Sequence, residues 1–131
     1  MKTILLCADT NVDQVSDQVE SITNLPFDRD RTRILVYHVF RADDGGVAAA
    51  NLKSVQHATD ALEADGFEVE VVQSSGDAVR NIIETADDVD ADAISIAGRK
   101  RSPTGKALFG SVAQRVTLRS ERPVLFATAN E

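Results

Sequence analysis

The chain has 131 residues, of which 43% are hydrophobic and 27% charged, and its formal net charge is −7. This length predicts one domain over residues 1–131 with a single core, and no apolar run approaches the ~20 residues of a transmembrane helix. The single Cys7 excludes an internal disulfide framework, and the apolar start is too short for a signal peptide, so we expect a cytoplasmic protein.

Five apolar runs are typical of β-strands, and most are near-continuous, as expected of a parallel sheet covered on both faces. The third run alternates instead, with Phe67, Val69 and Val71 on one face. Glu68 and Glu70 lie on the other face, which favours an edge strand. The runs are Thr3–Ala8, Arg33–Phe40, Phe67–Gln73, Ala93–Ala97 and Pro123–Thr128.

Between the strands, apolar residues recur at steps of three and four, which predicts four helices. Thr10 or Asn11 can cap the first helix, and Asp77 can cap the third. Gly110 and Ser111 open the fourth. The repeated positions are Val12, Val15, Val19 and Ile22; Leu52, Val55, Thr59 and Leu62; Val79, Ile82, Ile83, Ala86 and Val89; and Val112 and Val116.

The strands and helices alternate, and this order predicts an α/β fold with a parallel sheet and right-handed crossovers. In such open sheets, ligands bind beyond the carboxyl ends of the strands, near the point where the strand order reverses. Asp9 follows the first strand, residues 39–41 end or follow the second, and Gly98 follows the fourth. These positions are therefore the first candidates for a binding site.

Positive charge is concentrated near the C-terminus of this acidic chain. Residues 98–122 hold seven bases and one acid, Glu121. This asymmetry points to an anionic ligand or partner. The bases are Arg99, Lys100, Arg101, Lys106, Arg115, Arg119 and Arg122.

The stretch "GRKRSPTGKALFGS" at 98–111 can be interpreted as a phosphate cradle. Its glycines let backbone amides face an anion, and a helix starting at Gly110–Val112 would offer more amides and the Ser111 hydroxyl. Arg99, Lys100, Arg101 and Lys106 could neutralise phosphate charge. The alternative is that the glycines only form turns, Ser111 is an ordinary helix cap and the cations are solvated. The stretch is not a P-loop, because Ala107 follows Gly105-Lys106 where Ser or Thr is needed.

Four stretches resemble the universal stress protein (UspA-like) family over nearly the whole chain. They are "ILLCAD" at 4–9, "ILVYHV" at 34–39, "SGDAVRNIIETADDVDADAISIAGRKRSPTG" at 75–105 and "GSVAQRVTLRSERPVLF" at 110–126. The resemblance implies a Rossmann-like, open five-stranded parallel sheet with helices on both faces. It also implies a homodimer paired through the last strand, residues 123–128, and adenine-nucleotide binding. Asp outnumbers Glu 14 to 7 and Arg outnumbers Lys 10 to 4, so we expect a salt-adapted, haloarchaeal member.

The family's nucleotide motif is a Gly, two residues, a second Gly, nine residues and then Gly-Ser or Gly-Thr. Gly98 matches the first Gly, and Gly110-Ser111 matches the final pair after an interval one residue shorter. Arg101 stands where the second Gly is expected, and it would either crowd the phosphates or grip them in a bidentate manner. The matched positions and their implied roles are Ser111 with the Gly110 and Val112 amides on the phosphates, Asp9 near the ribose, and the Val39 backbone on the adenine edge.

Other polar residues have simpler interpretations. Asp9 could instead close the turn before the first helix, and the two roles are compatible. We interpret His38 as a hydrogen-bonded core histidine, His57 as a surface residue and Cys7 as a small packed hydrophobe. The acidic run at 87–92 is interpreted as a solvated face rather than a cation site, and no metal-ligand spacing is recognisable. For Arg115, Arg119 and Arg122, we favour ion pairing and compensation of a helix C-terminus over contact with phosphate.

The preferred hypothesis is a stress-sensing or signalling homodimer that binds ATP or AMP, with Mg²⁺ accompanying the phosphates. A family member that binds no nucleotide and acts through protein partners is the alternative, because Arg101 replaces a motif Gly. An enzyme is disfavoured, since no activated nucleophile is apparent, no catalytic residue is assigned and at most a weak ATPase is expected. Nucleic-acid binding is disfavoured because aromatic residues are few and the acidic remainder would repel a polyanion.

Overall fold

Strands and α-helices alternate along the parts of the chain that the computed structural model describes, which are residues 1–41, 48–98 and 110–127. The strands are β1 (Lys2–Cys7), β2 (Thr32–Phe40), β3 (Glu68–Ser75), β4 (Ala93–Ala97) and β5 (Val124–Ala127). The α-helices are α1 (Val12–Thr23), α2 (Lys53–Ala64), α3 (Ala78–Asp88) and α4 (Ser111–Arg119). Short 3₁₀ turns at 29–31 and 49–51 precede β2 and α2. Within these ranges, no helix is long and apolar enough to cross a membrane.

The five strands form one parallel sheet in the order β3-β2-β1-β4-β5. The chain moves outward from β1 to β3 and then crosses to β4 on the other side of β1, so the strand order reverses between β1 and β4. This arrangement confirms the α/β fold that the element order predicted. It also places β3 at an edge, as its alternating pattern indicated.

The two faces of the sheet carry two separate apolar clusters, which explains the near-continuous hydrophobicity of the inner strands. On one face, Ile4 and Leu6 of β1 pack in a cluster with residues of α1 and α2. On the other face, Leu5 and Ile94 pack in a cluster with residues of α3 and α4. Helices therefore cover both faces, and successive β1 side chains enter opposite cores.

The strand β4 has the predicted ends, and the described ends of the other strands lie within two residues of the predicted ones. β3 begins at Glu68, because Phe67 still closes the turn after α2 through a hydrogen bond from its N–H to the Leu62 carbonyl. Gly66 in that turn has φ +101°, a left-handed conformation that favours glycine. β5 begins at Val124, after Pro123, and the predicted Thr128 lies outside the described residues.

The four aspartates of the acidic run at 87–92 are exposed, as expected, and two of them form ion pairs with an arginine side chain. Arg122 lies 3.1 Å from Asp90 and 3.4 Å from Asp87, and it donates a hydrogen bond to the Ala91 carbonyl. Asp92 accepts a hydrogen bond from the Thr3 amide at 2.8 Å and so helps to fix the start of β1. The preference for ion pairing is thus confirmed for Arg122.

Candidate functional site

The strands β1 and β4 separate at their carboxyl ends. Their pairing ends at Leu6 and Ser95. Beyond that point the N–H of Ala8 donates to Tyr37 of β2 at 2.8 Å, while the N–H of Gly98 donates to Ala127 of β5 at 2.7 Å. Each strand end therefore follows its outer neighbour, and a fork opens at the point where the strand order reverses.

A cleft of about 460 Å³ lies above this fork. It is bounded by the ends of β1, β2 and β4, by the first turns of α3 and α4, and by one side chain of α1. The lining residues are Cys7, Ala8, Asp9, Gln14, Tyr37, His38, Val39, Arg41, Ala78, Ile82, Ile96, Ala97, Gly98, Gly110, Ser111, Val112 and Ala113. The volume falls in the range of small-molecule sites.

Every described residue that the sequence nominated for nucleotide contact lines this one cleft. They are Asp9, Val39, Gly98, Gly110, Ser111 and Val112. Residues at four separate places in the sequence are thus brought together, because parallel strands end at the same edge of the sheet. Arg99, Lys100, Arg101 and Lys106 lie outside the described residues.

Asp9 closes a turn and also lies at the cleft, so its position is compatible with both roles considered for it. Its carboxylate accepts a hydrogen bond from the Asn11 amide at 2.8 Å, which closes the turn before α1. The Ser54 hydroxyl donates to the Asp9 carbonyl at 2.5 Å and ties the turn to α2. Asp9 is nevertheless exposed and lines the cleft, so the turn orients its carboxylate at the rim.

His38 is buried, as expected, and it connects the ends of two strands. Its Nδ1 lies 2.7 Å from the Ala8 carbonyl, and its ring packs edge-on against Phe40 with the centroids 4.6 Å apart. Together with the hydrogen bond from Ala8 to Tyr37, this contact holds the residue before Asp9 against β2. His57 is exposed on α2, which confirms its interpretation.

Cys7 lines the cleft but is held in its thiol form. Burial raises the pKa of its thiol from 9.0 to about 12. Because the thiolate is the nucleophilic form, this side chain is a packed hydrophobe, as the sequence indicated, and not an activated nucleophile.

The helix α4 begins at the cleft without a side-chain cap. Its N-cap is Gly110, with φ −73° and ψ 163°. The interpretation of Ser111 as an ordinary cap is wrong, because Ser111 is the first helical residue. Glycine has no side chain to occupy the first amides of α4, and the residues at this helix start, Gly110–Ala113, line the cleft.

The described arginines of the basic segment at 98–122 do not line the cleft. Arg115 and Arg119 lie on exposed positions of α4, and Arg122 pairs with acidic residues. The interpretation of these three arginines as ion-pairing or charge-compensating residues rather than phosphate contacts is confirmed for Arg122, and the wider expectation that residues 98–122 serve an anionic ligand or partner stays a prediction. Only Gly110–Ala113 of the described part contribute to the lining on this side.

Sequence reasoning did not single out several lining residues. Gln14 lies between the apolar positions of the first helix, Ile82 was assigned to an apolar helical stripe, and Ala78 carries no chemical signal. Tyr37 is buried and its hydroxyl contacts the Ser74 hydroxyl and accepts from Thr85 at 3.1 Å. Arg41 was already among the candidates at 39–41, because it follows the carboxyl end of β2, and it lines the cleft.

Asp9 is the only carboxylate among the described residues of the lining. Within the described ranges, no group of three or more His, Cys, Asp or Glu side chains is arranged to hold a metal ion. A divalent cation at this site would therefore need ligand phosphates beside Asp9, which is the usual way in which Mg²⁺ binds with nucleotides.

Known proteins resemble this chain in sequence and in fold. A universal stress protein of Mycolicibacterium smegmatis (strain ATCC 700084 / mc(2)155) is 42% identical over 65 residues, which cover 49% of this chain and half the length of that protein. A universal stress protein solved in complex with cAMP has a TM-score of 0.72 at 20% identity, with 98% of each chain covered. The universal stress protein from Archaeoglobus fulgidus in complex with dAMP has a TM-score of 0.67 at 23% identity, with 97% of this chain and 98% of that chain covered.

At these identities the two structures show the fold, and the family is shown by sequence. The profile of the universal stress protein family matches residues 26–127, which include β2 through β5. The chain belongs to the universal stress protein family.

Proposed function

We propose that this protein binds an adenine nucleotide in the cleft between β1 and β4. The observation that carries the proposal is the meeting of an uncapped helix N-terminus with the fork of the sheet. The first amides of α4 and the Ser111 hydroxyl would bind a phosphate, because helix N-termini favour anions. That cAMP and dAMP are bound by proteins of this fold supports the choice of ligand.

The opposite side of the cleft suits a nucleoside. Val39 offers backbone groups at the end of β2, where they can contact the edge of a base. Asp9 stands at the rim and can accept hydrogen bonds from ribose hydroxyls. Ile82 and Ile96 supply apolar surface between these polar groups and α4. The cleft thus combines a small number of polar groups with apolar walls, as small-molecule sites do.

ATP and AMP are both candidate ligands, and Mg²⁺ is proposed only with ATP. Asp9 and the β- and γ-phosphates would hold the ion, which would neutralise phosphate charge. Arg101 would reinforce phosphate binding if it grips the ligand, and Gly98 would allow the chain to approach it. Arg99, Lys100 and Lys106 would add neutralising charge from the same segment.

The test is equilibrium binding of fluorescent ATP and AMP to the wild type and to Gly110→Val. The valine side chain would project where phosphate must approach, so we expect binding to be lost while the circular dichroism spectrum is retained. Gln114→Val is the matched control, because it adds the same side chain one turn later on α4, outside the lining. Wild-type protein that binds no nucleotide at millimolar concentration would contradict the proposal.

We also propose that the protein acts as a cytoplasmic homodimer in stress sensing or signalling. β5 lies at an edge of the sheet, where a second copy could pair with it. Sedimentation equilibrium should give twice the chain mass of 14.1 kDa. A monomer at micromolar concentration would contradict the dimer but would leave the cleft proposal intact.

The alternative function is that of a family member that binds protein partners and no nucleotide. Its support is Arg101, which stands at a position where the family motif has a glycine. The substitution Arg101→Gly separates the two functions. Nucleotide binding that appears only in this variant would favour the alternative.

A further inference from the structure

Gln18 is a fully buried polar residue at the base of the cleft. It lies on α1, is 0% exposed and is not among the residues that line the cleft. Its Nε2 lies 3.1 Å from the Cys7 carbonyl oxygen and 3.2 Å from the Ser95 carbonyl oxygen. The same atom lies 3.3 Å from the Ser95 hydroxyl. One side-chain amide therefore bonds to both strands that form the fork.

The two carbonyls lie where the β1–β4 ladder ends. Alternate residues of a parallel strand direct their backbone groups to opposite neighbours. Ala8 bonds outward to β2 and Gly98 bonds outward to β5, so Cys7 and Ser95 direct their carbonyls inward, toward each other's strand. Since the last β1–β4 pair is Leu6 and Ser95, the Ser95 carbonyl belongs to the end of the ladder, whereas the Cys7 carbonyl lies beyond it and needs another donor.

The side-chain amide of Gln18 donates hydrogen bonds through Nε2, but its Oε1 has no hydrogen-bond donor among the described residues. This oxygen is also buried. An unsatisfied buried acceptor destabilises a fold. The benefit of glutamine here is thus its pair of amide hydrogens, which reach two diverging strands at once.

We propose that Gln18 is a positioning residue that sets the width of the ligand cleft. By joining Cys7 to Ser95, its amide fixes the distance between the strand end that carries Asp9 and the strand end that carries Gly98. Residues on the two sides of the fork can bind the same ligand only at that distance. This inference rests on the proposed nucleotide site. The cross-link consists of two hydrogen bonds from the Gln18 amide, one to each strand of the fork.

The experiment compares Gln18→Met with the wild type. Methionine has a similar length and no donor, so the fork loses its cross-link while the core stays filled. Ile22→Val is the matched control, because Ile22 is also fully buried on α1, one turn farther from the cleft. We expect the nucleotide Kd to rise at least about 10-fold in Gln18→Met, because the free energy lost is about that of one hydrogen bond. In Ile22→Val the Kd should change less than about twofold. Equal Kd values in Gln18→Met and the wild type would overturn the inference.

A second measurement tests the cross-link without any ligand. Hydrogen exchange at the Ala8 and Gly98 amides, which flank the fork, should accelerate in Gln18→Met more than exchange at Leu35 in the centre of β2. A residue that only stabilises the fold would accelerate all three alike, and that result would overturn the positioning role. This measurement separates the two proposals, because it remains decisive if the wild type binds no nucleotide.

The wild type alone provides a third readout should Gln18→Met fail to fold. The Nε2 protons of Gln18 should exchange slowly with solvent, since they are buried and bonded to two carbonyls. Exchange as fast as that of an exposed glutamine such as Gln56 would overturn the cross-link.

Discussion

The helices α3 and α4 both start at the cleft, yet their N-termini differ in chemistry. At α3, the carboxylate of the N-cap Asp77 accepts a hydrogen bond from the Arg80 amide at 3.1 Å. At α4, the N-cap is Gly110, which has no side chain to do this. Residues from the first turn of each helix line the cleft.

This difference shows how a sequence can cap the N-terminus of one helix with its own carboxylate and leave the N-terminus of another uncapped. Asp77 carries its own negative charge, and its pKa is lowered mainly because its carboxylate accepts the Arg80 backbone hydrogen bond. The positive charges of Arg115 and Arg119 lower it further. The start of α3 is therefore already occupied by an anion, whereas the start of α4 can accept one from a ligand.

Among the changes that test this comparison, the largest effect on nucleotide binding is expected when α4 is given an aspartate N-cap like that of α3. In Gly110→Asp, the new carboxylate would cap the first amides and repel phosphate, so nucleotide affinity should fall at least about 100-fold. Thermal stability should stay equal or rise, because aspartate is a better N-cap than glycine by a few tenths of a kcal/mol. Titration with fluorescent AMP and a thermal melt would measure both.

The variant Gly110→Asn is the control for charge. Asparagine caps a helix equally well but is neutral, so it should weaken binding less than aspartate does. If both variants bind AMP as the wild type does, the ligand does not use the start of α4.

A smaller effect is expected from Ser111→Ala. The hydroxyl of Ser111 is exposed at the cleft and its loss removes one donor, so affinity should fall about three- to tenfold. Stability should barely change, since Ser111 does not cap α4. Isothermal titration calorimetry would measure the change, and an effect as large as that of Gly110→Asp would show that the hydroxyl dominates over the amides.

Removing the N-cap side chain of α3 should lower the stability of the fold without changing nucleotide binding. Asp77→Ala removes the cap, so the melting temperature should fall by a few degrees while the Kd for AMP stays within about twofold. A large loss of binding would mean that the charge of Asp77 acts on the ligand and that the two helix starts are not independent.

The stabilisation that Asp77 provides should depend on pH. Since the folded pKa of Asp77 lies below its ordinary value of 3.8, its contribution is complete well above pH 3.8 and is lost as the pH falls through the lower folded value. The difference in melting temperature between wild type and Asp77→Ala should be constant above about pH 5 and shrink below pH 3.8. A difference that grows toward acid pH would have the wrong sign.

The smallest effect concerns the field between the two helices. Arg115→Gln removes a positive charge that lowers the pKa of Asp77, so that pKa should rise slightly. Carboxyl titration by NMR would measure the rise. No change in Arg115→Gln would show that solvent screens this pair completely.

The sequence predicted the secondary structure well where local patterns are strong. The alternation of apolar strands with helical stripes gave the α/β fold, and Asp77 was predicted as a cap because its side-chain oxygen suits a helix start. For the first helix the sequence left Thr10 and Asn11 as alternatives, and the structure has Asn11. The ends of β3 and β5 were less predictable, because turns after α2 and α4 decide where pairing begins.

The site was predictable only in part. Asp9, Val39 and Gly98 could be named because they lie at or just after the carboxyl ends of strands, which meet at one edge of the sheet. Gln18 could not, because one glutamine on an amphipathic helix looks like a polar residue near the core. Its two bonding partners are 11 and 77 residues away, so only the folded chain brings them together.

The sequence by itself determined the fold class, the family resemblance and the glycine at the start of α4, since each depends on local pattern or composition. The tertiary structure decided which groups share the cleft. Parallel pairing ends between Leu6 and Ser95 while each strand continues beside its outer neighbour, and this divergence depends on contacts between distant residues. The cleft and the Gln18 cross-link at its base are consequences of that divergence.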